Sequence, residues 1–257
     1  MTMPGVREAY DDAAESWRRG PEAVYARLAD AMVGVAPVEL QDALVLDVGA
    51  GTAVAARAAL DRGASRAVAS DVADGMLRGR PAGIPAVLAD AASLPFADRT
   101  FDLVTAAFCL GHMADPVAVL REVRRVAPAV VASAFTPGPG HPVKAAVDEV
   151  FARHGFTAPP WYQRQKAELE PRVDDPDGLR SLGHAAGFWQ VEVRQLEVDA
   201  GLESPAAVVA WRTGMAHLAP FVSGLDPALL ARARAEAEEA VAPLLPVTIS
   251  MLVLCGS

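Results

Sequence analysis

Cysteine is scarce: Cys109 and Cys255 are the only two in 257 residues. They lie far apart in the chain, with neither metal-ligand spacing nor a disulfide framework, which suits a reducing cytoplasm. Positive charge is in deficit, with 23 Lys and Arg against 32 Asp and Glu and a formal net charge of −9. A chain of that sign repels phosphate backbones, so nucleic acid is not expected as a partner. Long apolar runs are missing as well. Hydrophobic residues make up 52% of the chain, yet no run approaches the ~18–20 residues of a bilayer span. Much of the excess is alanine, which suits closely packed helices. The opening MTMPGVREAYDD lacks the basic-then-apolar pattern of a secretory signal, so the expected location is cytoplasmic. No repeat or low-complexity tract interrupts the chain. What remains is enough length to bury a full core without disulfides or structural metal, and a single domain over 1–257 is expected.

The first forty residues carry apolar side chains at helical spacing over 6–19 and 21–33, divided by Gly20-Pro21. Then the texture changes. The run 43–48 (ALVLDV) reads as a buried parallel strand that ends in Gly49-Ala50-Gly51. Further strands are expected over 66–70, 86–89, 101–108 and 129–135, with helices between them, such as 53–61 and 116–126. Alternation at this spacing predicts a doubly wound, Rossmann-like α/β sheet. After a Pro/Gly-rich loop over 136–142, a helix is expected over 178–186. A strand of alternating polarity follows over 189–199, then helices near 204–218 and 226–241, and a last strand over 247–255. The two late strands suit an antiparallel edge. The expectation is a seven-stranded, mostly parallel sheet with an antiparallel C-terminal edge and a helical lid. It divides into an N-terminal lid segment (1–40), a cofactor-binding half (41–135) and a substrate-binding half (136–257) with a lid insertion at about 200–245.

The chemistry concentrates in Asp47-Val48-Gly49-Ala50-Gly51-Thr52. Glycines between a strand and a helix allow positive φ and let a ligand approach the backbone at the helix N-terminus. Asp71 closes the next strand, twenty residues after Gly51, where a carboxylate accepts hydrogen bonds from a ribose diol; Val72 adjoins it. A nicotinamide or flavin enzyme needs a third small residue after GxGxx, where this chain has Val54. A carboxylate at Asp47 would repel a diphosphate but suits an ammonium group. S-adenosylmethionine has an ammonium, a sulfonium and a ribose and no phosphate, so the pattern favours it over a dinucleotide.

These residues resemble those of class I S-adenosylmethionine-dependent methyltransferases, of the subgroup that contains the ubiquinone/menaquinone-biosynthesis enzymes. VLDVGAGTA matches the family's first motif, SDVADGML (70–77) its second-strand segment, and LADAASLPFADRTFDLVTAAFCLGHMADP (88–116) the next two motifs. VLREVRRVAP (119–128) resembles the helix before the fifth strand, and YDDAAESW (10–17) the N-terminal helix that folds over the cofactor. The match is dense over about 10–135 and loose thereafter. The resemblance implies that Met76 packs on adenine, that Asp90 binds the adenine amino group and that Ala91 offers its N–H to the ring. It also implies that Tyr10 and Trp17 close the pocket mouth. Phe108, at the carboxyl end of the fourth strand, lies near the cofactor by topology.

His112 follows the fourth strand, and a general base and a pocket-shaping imidazole are its two readings. The implied function is methylation of a small, apolar or aromatic metabolite, with oxygen the preferred acceptor atom and S-adenosylhomocysteine as product. A cofactor-using cyclase or rearrangement enzyme and a non-catalytic cofactor-binding partner are the alternatives. Pro159-Pro160-Trp161-Tyr162 forms either a wall of the substrate pocket or an anchor for the lid. Asp174, Asp175 and Asp177 read as a turn and helix start capped by Asp174 or Asp177, not as a metal site. Arg121, Arg124 and Arg125 read as a solvated helix face.

Overall fold

The structure is a computed structural model that describes residues 5–138 and 141–257. Residues 1–4 lie outside the described residues, as do Pro139 and Gly140 of the loop expected over 136–142. Seven strands form one sheet: β1 (Leu44–Val48), β2 (Arg66–Asp71), β3 (Ala86–Leu88), β4 (Leu103–Ala107), β5 (Ala129–Phe135), β6 (Val191–Asp199) and β7 (Thr248–Gly256). Their spatial order is β3-β2-β1-β4-β5-β7-β6. The first five run parallel, and β7 lies antiparallel between β5 and β6. The mostly parallel sheet with an antiparallel C-terminal edge is therefore present.

Burial follows sequence texture. Central β1 is buried on both faces, which is why LVLDV is almost wholly apolar. β6 forms the edge and exposes alternate residues, which is why VEVRQLEVD alternates. The strand expected over 101–108 is trimmed to β4: Phe101 and Asp102 donate their N–H groups to Val126 O and Leu44 O instead of joining its ladder.

Helices cover both faces. On one side lie α2 (Pro21–Val33), α3 (Val54–Asp61), α6 (Val143–Arg153), α9 (Pro205–Thr213) and α11 (Pro227–Val241). On the other lie α5 (Pro116–Val126) and α8 (Pro176–Ala185). α5 shows why such segments are helical. Asp115 accepts from Ala118 N–H at its start and Pro116 takes the first position, while Val119, Leu120, Val123 and Val126 fall on one buried stripe. α8 is capped by Asp175, which accepts from Gly178 N–H at 2.6 Å, not by Asp174 or Asp177: Asp175 precedes Pro176 and has the extended backbone usual at such a cap. Arg125 likewise departs from a solvated face. It bonds Glu122, Asp98 and the carbonyls of Leu94 and Phe96, stapling the 94–98 loop to α5.

α1 (Val6–Arg19) stands apart from the sheet and packs on α4 (Asp74–Arg78), where Asp11 Oδ1 accepts from Gly75 N–H at 2.6 Å. The long helix expected near 204–218 is broken. α9 stops at Thr213, a turn runs through Gly214, and α10 (Ala219–Ser223) follows. Among the described residues no helix is long and apolar enough to cross a membrane.

Candidate active site

Strand order reverses between β1 and β4, so a crevice opens at their carboxyl ends. The main cavity lies there, with about 1620 Å³ of empty space including its open mouth. One end is built by the β1–α3 turn and β2. The other is built by aromatic and charged side chains from β5, α6, α9 and α7 (Pro160–Arg164) with its continuation.

At the turn end Gly49 and Gly51 have φ of +63° and +54°, and a Cβ on Gly49 would stand 2.5 Å from the Cβ of Cys109. The turn therefore closes only with glycine at that position. Asp47 lies beneath it, 1% exposed. Its Oδ1 accepts from Thr105 Oγ1, its register partner on β4, and its Oδ2 from Ala56 N–H on α3. Both oxygens are thus used inside the protein. Burial pushes this carboxyl up to about 7, against the lowering effect of those two bonds. Asp71 Oδ2 accepts from Gly51 N–H at 2.7 Å and Oδ1 from Ala73 N–H at 2.9 Å, tying the turn to β2. Burial raises this carboxyl also, against the backbone bonds that lower it.

Thr52 Oγ1 and Ser70 Oγ are buried in the cavity wall with no hydrogen-bond partner among the described residues. Such atoms are costly unless a ligand or water meets them. Together with the glycine cradle and the Asp71 carboxylate, they fit a polar, ribose-bearing cofactor.

Gly49, Ala50, Gly51, Thr52, Asp71, Val72, Met76, Ala91, Phe108, Tyr10, Trp17, Asp47 and His112 all line this one cavity. Asp90 is placed differently: its Oδ1 accepts from Ala92 N–H and closes a local turn, while its neighbours Ala89 and Ala91 form the wall. Phe108 has φ +53°, a strained conformation for a bulky residue. Its N–H is held by Ser133, and its ring packs on Phe135 at 4.5 Å and edge-on to Tyr25.

His112 Nε2 faces the Tyr10 hydroxyl at 3.2 Å and Gln165 Nε2 at 3.4 Å. Its Nδ1 is buried without a partner among the described residues. Burial, and then the nearby Lys166 charge, hold the imidazole down to about 4. So low a value weakens the general-base reading of His112 and favours the pocket-shaping one. Cys109 lines the same wall, but burial and the Asp47 and Asp71 carboxylates push its thiol far above the usual range, so it is no nucleophile.

Of the far end only Pro159-Pro160-Trp161-Tyr162 stands out in the sequence, as a pocket wall or a lid anchor. Trp161 and Tyr162 are cavity wall: Trp161 packs against Tyr10, and Tyr162 stacks on His217 at 3.9 Å. Arg212, 5% exposed, pairs through two nitrogens with Asp148 and reaches the Tyr162 hydroxyl at 3.3 Å. A π-helical turn, Gln165–Leu169, delivers Gln165 and Lys166 to the cavity. Tyr25, Phe135, Lys144, Arg212 and His217 were missed because no local motif marks them. The lid is only partly realised by the late helices. Residues 211–217 reach the cavity, whereas α11 packs on α6 and α9, because its buried stripe of Ala233, Ala237 and Val241 belongs to the sheet core.

Comparison with known proteins agrees with this geometry. The family model described as a methyltransferase domain matches residues 46–128. The demethylmenaquinone methyltransferase of Thermobifida fusca is 31% identical over 179 residues, covering 65% of this chain and 68% of that protein. That of a Mycobacterium species (strain KMS) is 40% identical over 124 residues, 47% of this chain and 51% of its own. The match thus spans about half the length of the mycobacterial relatives. Among solved structures, a protein described as a methyltransferase from an antibiotic biosynthesis pathway of Anabaena variabilis superposes with a TM-score of 0.63. It is 14% identical and covers 90% of this chain and 96% of that one, a likeness of fold.

Proposed function

Because the chain belongs to the class I S-adenosylmethionine-dependent methyltransferases, in the group of the menaquinone-biosynthesis-like enzymes, we propose that it methylates a small, apolar or aromatic metabolite at oxygen. The observation that carries this reading is one cavity with two unlike ends. The glycine turn and Asp71 bound one end and an aromatic wall bounds the other, with Phe108 and His112 between them.

When bound, S-adenosylmethionine supplies an electrophilic methyl group and is left as S-adenosylhomocysteine. In this reading Asp71 accepts from the ribose hydroxyls, with Val72 beside it, and Thr52 and Ser70 find polar partners. Met76 packs on adenine, Ala91 offers its N–H to the ring, and Asp90 orders the loop that presents Ala91. Asp47, with both oxygens engaged, holds the turn. Tyr10 and Trp17 on α1 exclude water, which strengthens electrostatic interactions inside the cavity.

His112 acts mainly as a neutral pocket wall that positions Tyr10 and Gln165. An acceptor hydroxyl then has to be acidic in its own right, as a phenol or enol is. Holding it in line with the methyl carbon supplies most of the acceleration. The relatives named as demethylmenaquinone methyltransferases support a ring-bearing acceptor, and the rings of Phe108, Phe135 and Tyr25 favour one. The net charge of −9 argues against a nucleic-acid substrate. Two buried free thiols favour action in a reducing cytoplasm.

The test is calorimetric titration with S-adenosylhomocysteine and with NAD, followed by transfer of labelled methyl across a panel of phenols, amines and carbon acids. Tight S-adenosylhomocysteine binding and labelled phenol ethers are expected. Binding of NAD with none of S-adenosylhomocysteine would overturn the reading.

A further inference from the structure

The acceptor end of the cavity gathers charged side chains. Lys144, Lys166 and Arg212 line it, with Glu170 beside them and Asp148 just behind. The carboxylates are already engaged. Glu170 holds Lys166 at 2.6 Å, and Asp148 holds Arg212 through two bonds. Among the described residues of this end, one positive charge has no carboxylate bonded to it, although Asp174 and Glu197 line the adjoining cavity. That charge is on Lys144, whose ammonium has no ion pair and no hydrogen bond among the described residues. Instead it sits over the Phe135 ring at 4.2 Å and 5.8 Å from that of Trp211.

This placement is costly. Lys144 is half-buried; taking an ammonium even partly out of water is unfavourable unless an opposite charge compensates it, and two ring faces return only part of that loss. Burial pulls the amine down to about 8, as do the Arg212 and Lys166 charges, while Glu170 and Asp148 pull the other way. At pH 7 it stays mainly protonated. The α6 residues that pack the core are Val143, Val147, Val150 and Phe151, and Lys144 is not among them. The position is also shared: Lys144 lines both the main cavity and a second, more polar one that adjoins it through Phe135, Lys166, Glu170 and Val173.

Phe135 fixes what the ligand group would be attached to. Its ring carries Lys144 on one side and packs on Phe108 at 4.5 Å, and Phe108 follows β4 in the segment that leads into His112. A ring laid along Phe108 and Phe135 therefore has Lys144, a cation with no ion pair among the described residues, within reach of its substituents. We propose that the methyl acceptor carries a ring-borne oxyanion, a carboxylate or an ionised hydroxyl, and that Lys144 selects it. This rests on the methyltransferase reading for the identity of the ring-bearing ligand as acceptor. It also supplies what His112 does not: a neighbouring positive charge favours the ionised form of an acidic hydroxyl.

The experiment uses the full chain saturated with S-adenosylhomocysteine and two probes of one shape, 2-naphthoate and 2-naphthamide, titrated calorimetrically. Naphthoate is expected to bind at least tenfold more tightly than the amide. In Lys144→Met the preference disappears, and in Lys144→Arg it survives, with S-adenosylhomocysteine affinity and circular dichroism reporting that each variant is folded. Lys144→Gln serves if the methionine variant does not fold. Equal affinity for both probes, no naphthoate binding, or a preference that persists in the folded Met or Gln variant would overturn the proposal. Failure of S-adenosylhomocysteine to bind while naphthoate is still preferred would remove the methyltransferase reading and leave the anion site standing.

Discussion

The two ends of the cavity are built by different means. The turn end comes from one stretch of chain, 44–91, and is held by backbone N–H groups that donate to carboxylates: Gly51 and Ala73 to Asp71, Ala56 to Asp47. The acceptor end gathers Tyr25, Phe108, Phe135, Lys144, Tyr162, Arg212 and His217 and is held by contacts between side chains, such as the Arg212–Asp148 pair and the Tyr162–His217 stack. A backbone-built end binds a constant ligand and tolerates little change at its glycines. An end made of side chains can be altered residue by residue, which is how one fold comes to accept different substrates.

The sharpest way to break the first end is Gly49→Ala. The methyl group meets Cys109 and the residue is forced to positive φ. Left-handed backbone costs about 1–2 kcal/mol and overpacking about 1–3 more, so a loss of roughly 2–5 kcal/mol is expected in urea denaturation. Titration of any folded fraction with S-adenosylhomocysteine should give no measurable binding.

The matching break at the second end is Arg212→Met, which leaves Asp148 and the Tyr162 hydroxyl without their partner. Burial opposes the guanidinium's charge, but the bonds to Asp148 outweigh it and keep the group charged. Removing one member of a buried pair costs ~3–5 kcal/mol, and about 3 is expected here because Asp148 is about 35% exposed. S-adenosylhomocysteine affinity in the folded variant should stay within threefold of the parent chain. A large loss of that affinity would mean that the two ends are coupled, not independent.

Asp71→Ala tests the first end at one side chain. It removes the acceptor of two backbone bonds and the ribose partner, so S-adenosylhomocysteine binding should weaken by roughly 10- to 100-fold. Unchanged affinity in calorimetry would take Asp71 out of the site.

Asp47 gives the comparison a pH dependence. Its carboxyl titrates at about 7 when folded, against 3.8 as the ordinary value, so the folded state binds the proton more tightly than the unfolded chain. The stability due to this proton is complete below about pH 4 and is lost as pH rises through 7, with a slope of at most about 1.4 kcal/mol per pH unit. Asp47→Asn should flatten the stability profile between pH 4 and 7. A profile that keeps its slope in the variant would assign it to another group.

The smallest effect is expected at His112. Removing a general base lowers kcat by roughly 10²- to 10⁴-fold. A neutral imidazole held down to about 4 by burial should cost less than tenfold on replacement by Gln, with KM affected more than kcat through Tyr10 and Gln165. A drop of a hundredfold or more, with loss of the acidic limb of the pH–rate profile, would restore the base.

Legibility along the chain follows the same division. The strands, the glycine turn and Asp71 could be read directly, because apolar runs, positive-φ glycines and strand-end acids are local signals. The antiparallel edge was legible for the same reason, since alternation in VEVRQLEVD reports one exposed face. Asp47 was recognised as important, but its orientation into the protein was not, because that depends on Thr105 lying opposite it in register on β4. The helix expected near 204–218 looked continuous by spacing, and only packing around Gly214, whose Cβ would strike Pro21 and the Ser16 carbonyl, shows why the chain breaks there.

What sequence alone determined is the order of elements, the cofactor-type turn and the family of the cofactor, all encoded within a few tens of neighbouring residues. Tertiary structure decided the rest. Where burial and Lys166 set the His112 imidazole, how Arg212 meets Asp148 and how Lys144 sits over Phe135 without an ion pair among the described residues depend on which distant side chains meet and how far water is excluded around them. Desolvation and charge pairing arise from surroundings assembled by the whole fold, and no short stretch of chain contains them.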